Sequence, residues 1–289
     1  MREKVAIQGI AGSFHHQVAQ EFFQGRMEVD ECMSFQEVIK SLLLKNSNKA
    51  VMAIENSIAG SILPNYALID ENDINIIGEY YLPVEMNLMA VPGQKIEDIR
   101  KVYSHPIALL QCKEFFRNYP HIKLIEDADT ASVAKRIAEK GSSHVAAVAS
   151  KAAAKLFGLN ILAPGIHTVK NNTTRFLILS KEEETGREPA DKASIKFVLE
   201  SKQGSLVTAL NVLRDYQLDM TKIQSVPVIE EPWSYAFFID VIFEDPDNFF
   251  RAMEVLGLLT QELKILGTYR NNLSGDFLHE NTSMSAQAV

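Results

Sequence analysis

The segment Asn171-Asn172-Thr173-Thr174-Arg175-Phe176-Leu177-Ile178-Leu179 passes from a run of hydrogen-bonding side chains straight into an apolar run. A polar stretch that enters a buried strand sets its last side chains at the mouth of a rigid, packed element. Here those side chains are a hydroxyl, Thr174, and a guanidinium, Arg175. Arginine offers a planar fork of donors that fits a carboxylate, and threonine donates or accepts one proton. The pair points to a site for an anionic small molecule at the end of a strand.

Upstream, short apolar strands alternate with amphipathic helical stretches, which is the pattern of an α/β fold. Val5-Ala6-Ile7 reads as a strand, Gly9 and Gly12 as a turn, and Phe14 to Phe23 as a helix with Val18, Phe22 and Phe23 on its apolar stripe. Phe35 to Leu44 is a second helix, and Lys49 to Ile54 a second strand. Strands follow at Asn75 to Tyr81, Met86 to Val91 and Val102-Tyr103-Ser104. A helix spans Ala131 to Lys140, a strand His144 to Ala149, and a helix Lys151 to Phe157, which Gly158 ends as a C′ residue. Downstream, residues 181–192 are charged, contain Gly and Pro, and lack apolar periodicity, so they read as a linker. The pattern then changes. Ser194 to Glu200 is a strand, Ser205 to Tyr216 a helix, Met220 to Val228 and Tyr235 to Phe243 strands, Asn248 to Leu259 a helix and Leu263 to Tyr269 a strand. The order β-α-β-β-α-β is the ferredoxin-like arrangement. The polar tail, 276–289, reads as frayed.

Bulk properties narrow the classes. The 289 residues suffice for two or three domains, and 46% hydrophobic with 23% charged residues is an ordinary globular balance. A formal net charge of -8 and no basic patch argue against a nucleic-acid partner. It also means that an anion must be captured by local donors, because the global field repels it. No run approaches the ~20 apolar residues of a membrane span, and no signal-peptide core precedes the first strand, so a cytoplasmic protein is expected. Cys32 and Cys112 make neither a disulfide framework nor a metal set, and the histidines are scattered, so no metal is expected.

Four further segments carry candidate chemistry. Gly9-Ile10-Ala11-Gly12-Ser13-Phe14 sits at a strand-to-helix junction, where Ser13 reads either as a helix cap or as part of an anion site. Glu55-Asn56-Ser57-Ile58-Ala59-Gly60-Ser61 follows a strand directly, at the end where open α/β sheets place ligands. It too reads either as a site or as a capped helix start. In Ser104-His105-Pro106, the proline suits the first position of a helix, which favours Ser104 or His105 as the cap over His105 as a proton carrier. Cys112 reads as a small buried apolar residue. Asp129-Thr130-Ala131 is another polar pair at a helix start.

Taken together and in this order, these segments resemble prephenate dehydratase over about residues 4–270. The motifs are Gly9-x-x-Gly12-Ser13-Phe14, Glu55-Asn56-Ser57-x-x-Gly60-Ser61, Ser104-His105-Pro106 with Gln111-Cys112, Asp129-Thr130-Ala131, Ala146-Ala147-Val148-Ala149-Ser150 and Thr174-Arg175-Phe176. The resemblance implies a catalytic domain over 1–180 with a periplasmic-binding-protein-like fold, lobe one being 1–80 with 164–180 and lobe two 81–163. It implies conversion of prephenate to phenylpyruvate, water and carbon dioxide without cofactor or metal. Thr174 would act at the leaving hydroxyl and Arg175 on the pyruvyl carboxylate, with Ser13, Glu55, Asn56, Ser57, His105 and Thr130 also binding substrate. Phe176 is expected in the core.

Residues 193–275 resemble an ACT domain, the amino-acid-binding module that makes this family sensitive to phenylalanine. Gly204-Ser205-Leu206-Val207-Thr208-Ala209-Leu210 matches its strand-to-helix motif, with Ser205 where the family usually has alanine. The second motif, Glu-Ser-Arg-Pro, stands here as Gln224-Ser225-Val226-Pro227, without either charged side chain. Gly204, Ser205, Leu206, Gln224 and Ser225 are therefore the expected effector contacts, with feedback weakened or altered, and a homodimer or homotetramer is expected. Two alternatives remain open: arogenate dehydratase, acting on the aminated substrate, and a non-catalytic amino-acid sensor. No fused chorismate mutase segment is expected, because the dehydratase motifs begin at once after Met1.

Overall fold

The computed structural model describes residues 3–182, 190–200, 202–228 and 234–272. The expected tail at 276–289 and most of the expected linker lie outside the described residues. Val5, Ala6 and Ile7 have no solvent exposure and form the middle of β1 (Glu3–Gln8). A strand that is apolar at consecutive positions must be covered on both faces, as central parallel strands are. After β1 come α1 (Phe14–Phe22), β2 (Met27–Cys32), α2 (Phe35–Leu43) and β3 (Lys49–Asn56). β1 pairs in parallel with β2 on one side and β3 on the other. The two helices pack on these strands through faces that include Val18, Ala19, Val38, Ile39 and Leu42. β2, with the sequence MEVDEC, carries three acids and offers no apolar run. It is a strand because β1 supplies its backbone partner.

The chain continues through β4 (Gly60–Ser61), α3 (Leu63–Glu71), β5 (Asn75–Pro83), β6 (Asn87–Ala90), β7 (Lys101–Ser104), α4 (Pro106–Gln111), α5 (Lys113–Phe116) and β8 (Lys123–Glu126). There follow α6 (Thr130–Lys140), β9 (Val145–Ala149), α7 (Lys151–Phe157), β10 (Asn160–Ala163) and β11 (Thr173–Ser180). One sheet has the order β2-β1-β3-β11-β5 with β4 beside β3, and a second the order β10-β6-β9-β7-β8. β9 shows how the second sheet is covered. Ala146 and Val148 join a cluster with Ala108, Leu109, Cys112 and Phe116, whereas Ala147 and Ala149 join Val133, Ala134, Ile137 and Ala153. Alternate residues of a strand face opposite ways, so α4 and α5 cover one face, and α6 and α7 the other. The first turn is held by close approach. Gly12 has φ +91°, and a Cβ there would sit 3.3 Å from the Ala153 backbone and 3.2 Å from the Phe157 ring.

The C-terminal elements are β12 (Lys192–Val198), α8 (Ser205–Asp215), β13 (Asp219–Pro227), β14 (Tyr235–Ile242), α9 (Pro246–Leu259) and β15 (Glu262–Tyr269). They form the expected βαββαβ unit, an antiparallel sheet in the order β13-β14-β12-β15. The chain falls into two compact units, Met1–Ile62 with Tyr81–Phe176, and Leu63–Tyr80 with Leu177–Val289. Within the second unit, Ala193, Ile195 and Phe197 of β12 pack on residues of α8 and α9 such as Ala209, Phe249 and Leu256.

The alternate residues of β12 are polar, and two of them, Lys192 and Lys196, meet β5 and α3. Lys192 Nζ lies 2.9 Å from Glu79, both side chains being buried, and Lys196 lies 2.6 Å from Asp70. Lys264 of β15 joins Asp70 and Asp73. Beside them Gly267 touches the backbone of β5: a Cβ there would fall 1.9 Å from the carbonyl oxygen of Ile76. No described helix is long and apolar enough to cross a membrane.

Two expectations follow. Lys192→Met strands the Glu79 carboxylate in a dry setting and costs about 3–5 kcal/mol, whereas the double variant with Glu79→Leu recovers most of that loss. Chemical denaturation of the three proteins tests this, and equal stabilities of wild type and Lys192→Met would refute it. The second expectation concerns His15 of α1, whose ring lies edge-on to Phe176 at 5.0 Å and whose Nε2 accepts from the Ala53 N–H at 3.3 Å. Burial pushes its pKa down to about 3 from an ordinary 6.5. Between those values the unfolded chain binds the extra proton, so this contribution to stability is whole above pH 6.5. It falls as pH drops, by at most about 1.4 kcal/mol per pH unit. Denaturation midpoints measured across that window should flatten in His15→Leu; identical slopes would exclude His15 as the source.

Candidate active site

Four helices begin, and three strands begin or end, around one cavity of about 520 Å³ in the first unit. Gln8 and Gly9 reach it from the end of β1, Ala53 and Asn56 from β3, and Asn172, Thr174 and Phe176 from the entry and body of β11. Ser13, Ser34, His105 and Asp129, the N-caps of α1, α2, α4 and α6, complete the polar part of the wall together with Thr130 and Gln111. Phe14, Phe35, Met86 and Phe176 supply apolar surface. Among the described residues no lysine or arginine lines the cavity, and Asp129 is the one acidic side chain in its wall.

The polar centre is an amide held in one orientation. Asn56 Oδ1 accepts from the N–H groups of Ile58, at 3.0 Å, and Ala59, at 2.9 Å. That leaves Nδ2 pointing the other way, where it donates to Thr174 Oγ1 at 2.9 Å and to Asn172 Oδ1 at 2.7 Å. Asn172 Nδ2 in turn donates to Gln111 Oε1 at 3.1 Å. An amide nitrogen only donates, so Thr174 accepts from Asn56 and keeps its own hydrogen for another partner. The Thr174 side chain is nearly buried, 9% exposed, yet faces the cavity.

The capping groups fall where helix starts require them. Ser13 Oγ accepts from His16 N, Asp129 Oδ1 from Ser132 N at 2.8 Å, and His105 Nδ1 from Ile107 N at 3.3 Å. α1 has no acid in its first turn, so its positive end is left for an anion. His15 stays neutral for the reason given above. His16 is also held low, by burial first and against the pull of Glu31, and accepts from Gly12 N at 3.0 Å. Burial pushes the Cys112 thiol up to about 12, which suits a packed side chain rather than a nucleophile. Among the described residues no group of three or more His, Cys, Asp or Glu is arranged to hold a metal ion.

Of the residues expected to bind substrate, Ser13, Asn56, His105, Thr130 and Thr174 come together around the cavity. Glu55 and Ser57 do not line it. Ser57 clips the loop after β3 to the start of β11 instead, donating to Asn171 O and accepting from Thr173 N. Arg175 is also placed elsewhere. Thr174 and Phe176 face the cavity, so strand alternation turns Arg175 to the opposite side of β11, buried, with its guanidinium 5.9 Å from the Tyr81 ring centre. Phe176 is buried, as expected, and is also a wall of the cavity. Sequence reasoning passed over Gln111, Asn172, His15 and Asp129 as site residues. Gln111, Asn172 and Asp129 lie inside the motif segments, but their contacts are long-range and leave no local signal.

The family model described as prephenate dehydratase matches residues 5–184. A bifunctional chorismate mutase/prephenate dehydratase of Aquifex aeolicus (strain VF5) is 34% identical over 92% of this chain and 73% of its own. An arogenate dehydratase/prephenate dehydratase of Arabidopsis thaliana is 37% identical over 93% of this chain and 72% of its own. The crystal structure of a prephenate dehydratase in complex with L-Phe from Arthrobacter aurescens, 21% identical, superposes with a TM-score of 0.83, covering 98% of each chain. By the extent of the family match and the identity to these relatives, the chain belongs to the prephenate dehydratase family.

Proposed function

We propose that the cavity dehydrates and decarboxylates prephenate, and the observation that carries this is the Asn56–Thr174 hydrogen bond. In the reaction the ring carboxylate leaves as carbon dioxide, its electron pair moves through the ring, and the C4–O bond breaks. One proton must reach the departing oxygen, so that water leaves and a phenyl ring forms. With its oxygen accepting from Asn56 Nδ2, the Thr174 hydroxyl aims its hydrogen at that oxygen. A free alcohol is a weak acid, so Thr174 donates a positioned hydrogen bond and relays a proton rather than supplying one alone. The substrate carboxylates fall to neutral donors: the start of α1 with Ser13, the Thr130 hydroxyl and the Gln111 amide. Arg175, on the far side of β11, supports the strand and not the substrate. Carbon dioxide loss needs only electron flow into the new aromatic ring, so this mechanism uses no cofactor.

Residues 1–180 are proposed as the catalytic domain, with a periplasmic-binding-protein-like arrangement, and 193–275 as an ACT domain that binds L-phenylalanine. What supports the second reading is the βαββαβ sheet and a hollow of about 280 Å³ lined by Gln203, Ser205, Leu206, Tyr235 and Phe237. Gly204 beside it has φ +85°, which turns the chain so that α8 can start. Gln224 and Ser225 stand on β13, the edge strand of the sheet, opposite Phe238 and Phe237. A homodimer or homotetramer is proposed on the ground that an open edge favours pairing with a second copy. A cytoplasmic location accords with a biosynthetic lyase.

Purified protein given prephenate should release phenylpyruvate. Thr174→Val should lower kcat by about 10²–10⁴-fold, with Thr174→Ser retaining most of it. Asn56→Asp replaces the donor with an acceptor, turns the Thr174 hydrogen away from the substrate, and should lower kcat more than it raises KM. Full activity in Thr174→Val would end this mechanism. L-Phenylalanine should suppress turnover and raise the melting temperature, and Gly204→Val, strained at positive φ, should abolish both responses. A melting temperature that ignores phenylalanine would remove the effector role and leave the enzyme intact.

A further inference from the structure

The four capping residues around the cavity are not equivalent. Ser13, Ser34 and His105 cap with side chains that carry no formal negative charge, and Asp129 caps α6 with a carboxylate. An uncharged cap leaves the positive end of its helix to attract an anion, whereas a carboxylate cap cancels it. Asp129 therefore sets a negative charge on the α6 side of the cavity beside Thr130, where a substrate ammonium is welcome next to the carboxylate that Thr130 binds. Oδ1 accepts from Ser132 N, which leaves Oδ2 for a ligand. Arg136 of the same helix bonds Asp127, 2.6 Å away, and also attracts Asp129, so one guanidinium is shared between two carboxylates and leaves a net negative charge beside the cavity. Among the described residues no lysine or arginine stands in the cavity wall.

The two forms of the substrate differ only at this kind of contact. Prephenate carries two carboxylates and a keto group, and arogenate carries the same carboxylates with an ammonium in place of the ketone. The electron flow that expels carbon dioxide and water is the same for both. With Thr174 and Asn56 on the strands of the first sheet and Asp129 on a helix packed against the second, leaving group and side chain are read by different walls. We infer that Asp129 is a specificity-determining residue that pairs with the substrate ammonium, so that the chain prefers the α-amino acid form to the α-keto acid. This rests on the dehydratase reading of the same cavity.

The test separates the two claims. Wild type is assayed with arogenate and with prephenate, and kcat/KM should be higher for arogenate. Asp129→Asn removes the charge and keeps a side chain that caps helices as well as aspartate does, so α6 should survive. In that variant kcat/KM for arogenate should fall about tenfold to a hundredfold, the size of a lost hydrogen bond to a charged group. For prephenate it should rise, since a repulsion has gone. Asp129→Ser, a second capping residue, should give the same crossover. A merely structural role for Asp129 would lower both substrates together, leaving their ratio where it was, and that result overturns the inference. A wild type that prefers prephenate also overturns it, with the dehydratase reading intact. A folded wild type that turns over neither substrate defeats both.

Discussion

An amide has a donor end and an acceptor end, and fixing one fixes the other. Asn56 is held by two backbone N–H groups of the turn that follows it, so its nitrogen is committed to Thr174 and Asn172. The consequence passes through the whole site. Thr174 becomes a donor towards the cavity, Asn172 turns its own nitrogen to Gln111, and the end of α4 is tied to the mouth of β11. Three distant stretches of chain meet in one chain of hydrogen bonds whose polarity is set at a single residue. In a partly buried setting such a network gains from being complete and loses heavily from one wrong partner. This is why an asparagine, and not the isosteric aspartate, suits position 56.

The second unit faces a different problem with the same tools. One face of its sheet is apolar and covered by α8 and α9, while the other carries Lys192 and Lys196 into contact with β5 and α3. Buried ion pairs add little net stability, because desolvation offsets most of the attraction. Their effect here is on register. Sliding β12 by one residue would push the lysines into the layer of Phe249 and Leu256 and bring Ala193, Ile195 and Phe197 to face carboxylates. The close approach of Gly267 to Ile76 tightens the same contact, since any side chain at that position would hold the strands apart.

How much of this was legible depended on whether the signal was local. Central strands such as β1 and β9 were plain in the sequence, because burial on both faces leaves a continuous apolar run. So was the βαββαβ order, where each element is amphipathic over its own length. β2, β8 and β10 were missed: β8 and β10 are short, and β2 and β8 carry charges in place of an apolar run, so their pairing comes from neighbours and not from their own residues. In the site, helix caps and strand ends were found from their motifs. The orientation of adjacent residues was harder, and Arg175 shows why. Its motif names three consecutive residues, yet strand geometry sends the middle one to the opposite face.

That placement bears on the chemistry. A decarboxylation slows if the departing carboxylate is better stabilised than the transition state it leads to. A guanidinium in the cavity would hold that group in its charged form, with the ring electrons still unmoved. The cavity offers instead neutral amides, hydroxyls, helix ends and the Asp129 carboxylate, beside the aromatic faces of Phe14, Phe35 and Phe176. Such walls bind a dianion less tightly than arginines would, but they disfavour the localised charge of the carboxylate relative to the dispersed charge of the ring as it aromatises. The chain's own net charge of -8 adds nothing to capture. Affinity must then come from shape and from donors fixed in advance. The Thr174 hydroxyl, oriented by the fixed amide of Asn56, and the capped start of α1 are of that kind: their geometry is set before a ligand arrives, and their donors turn to no new partner as the charge moves.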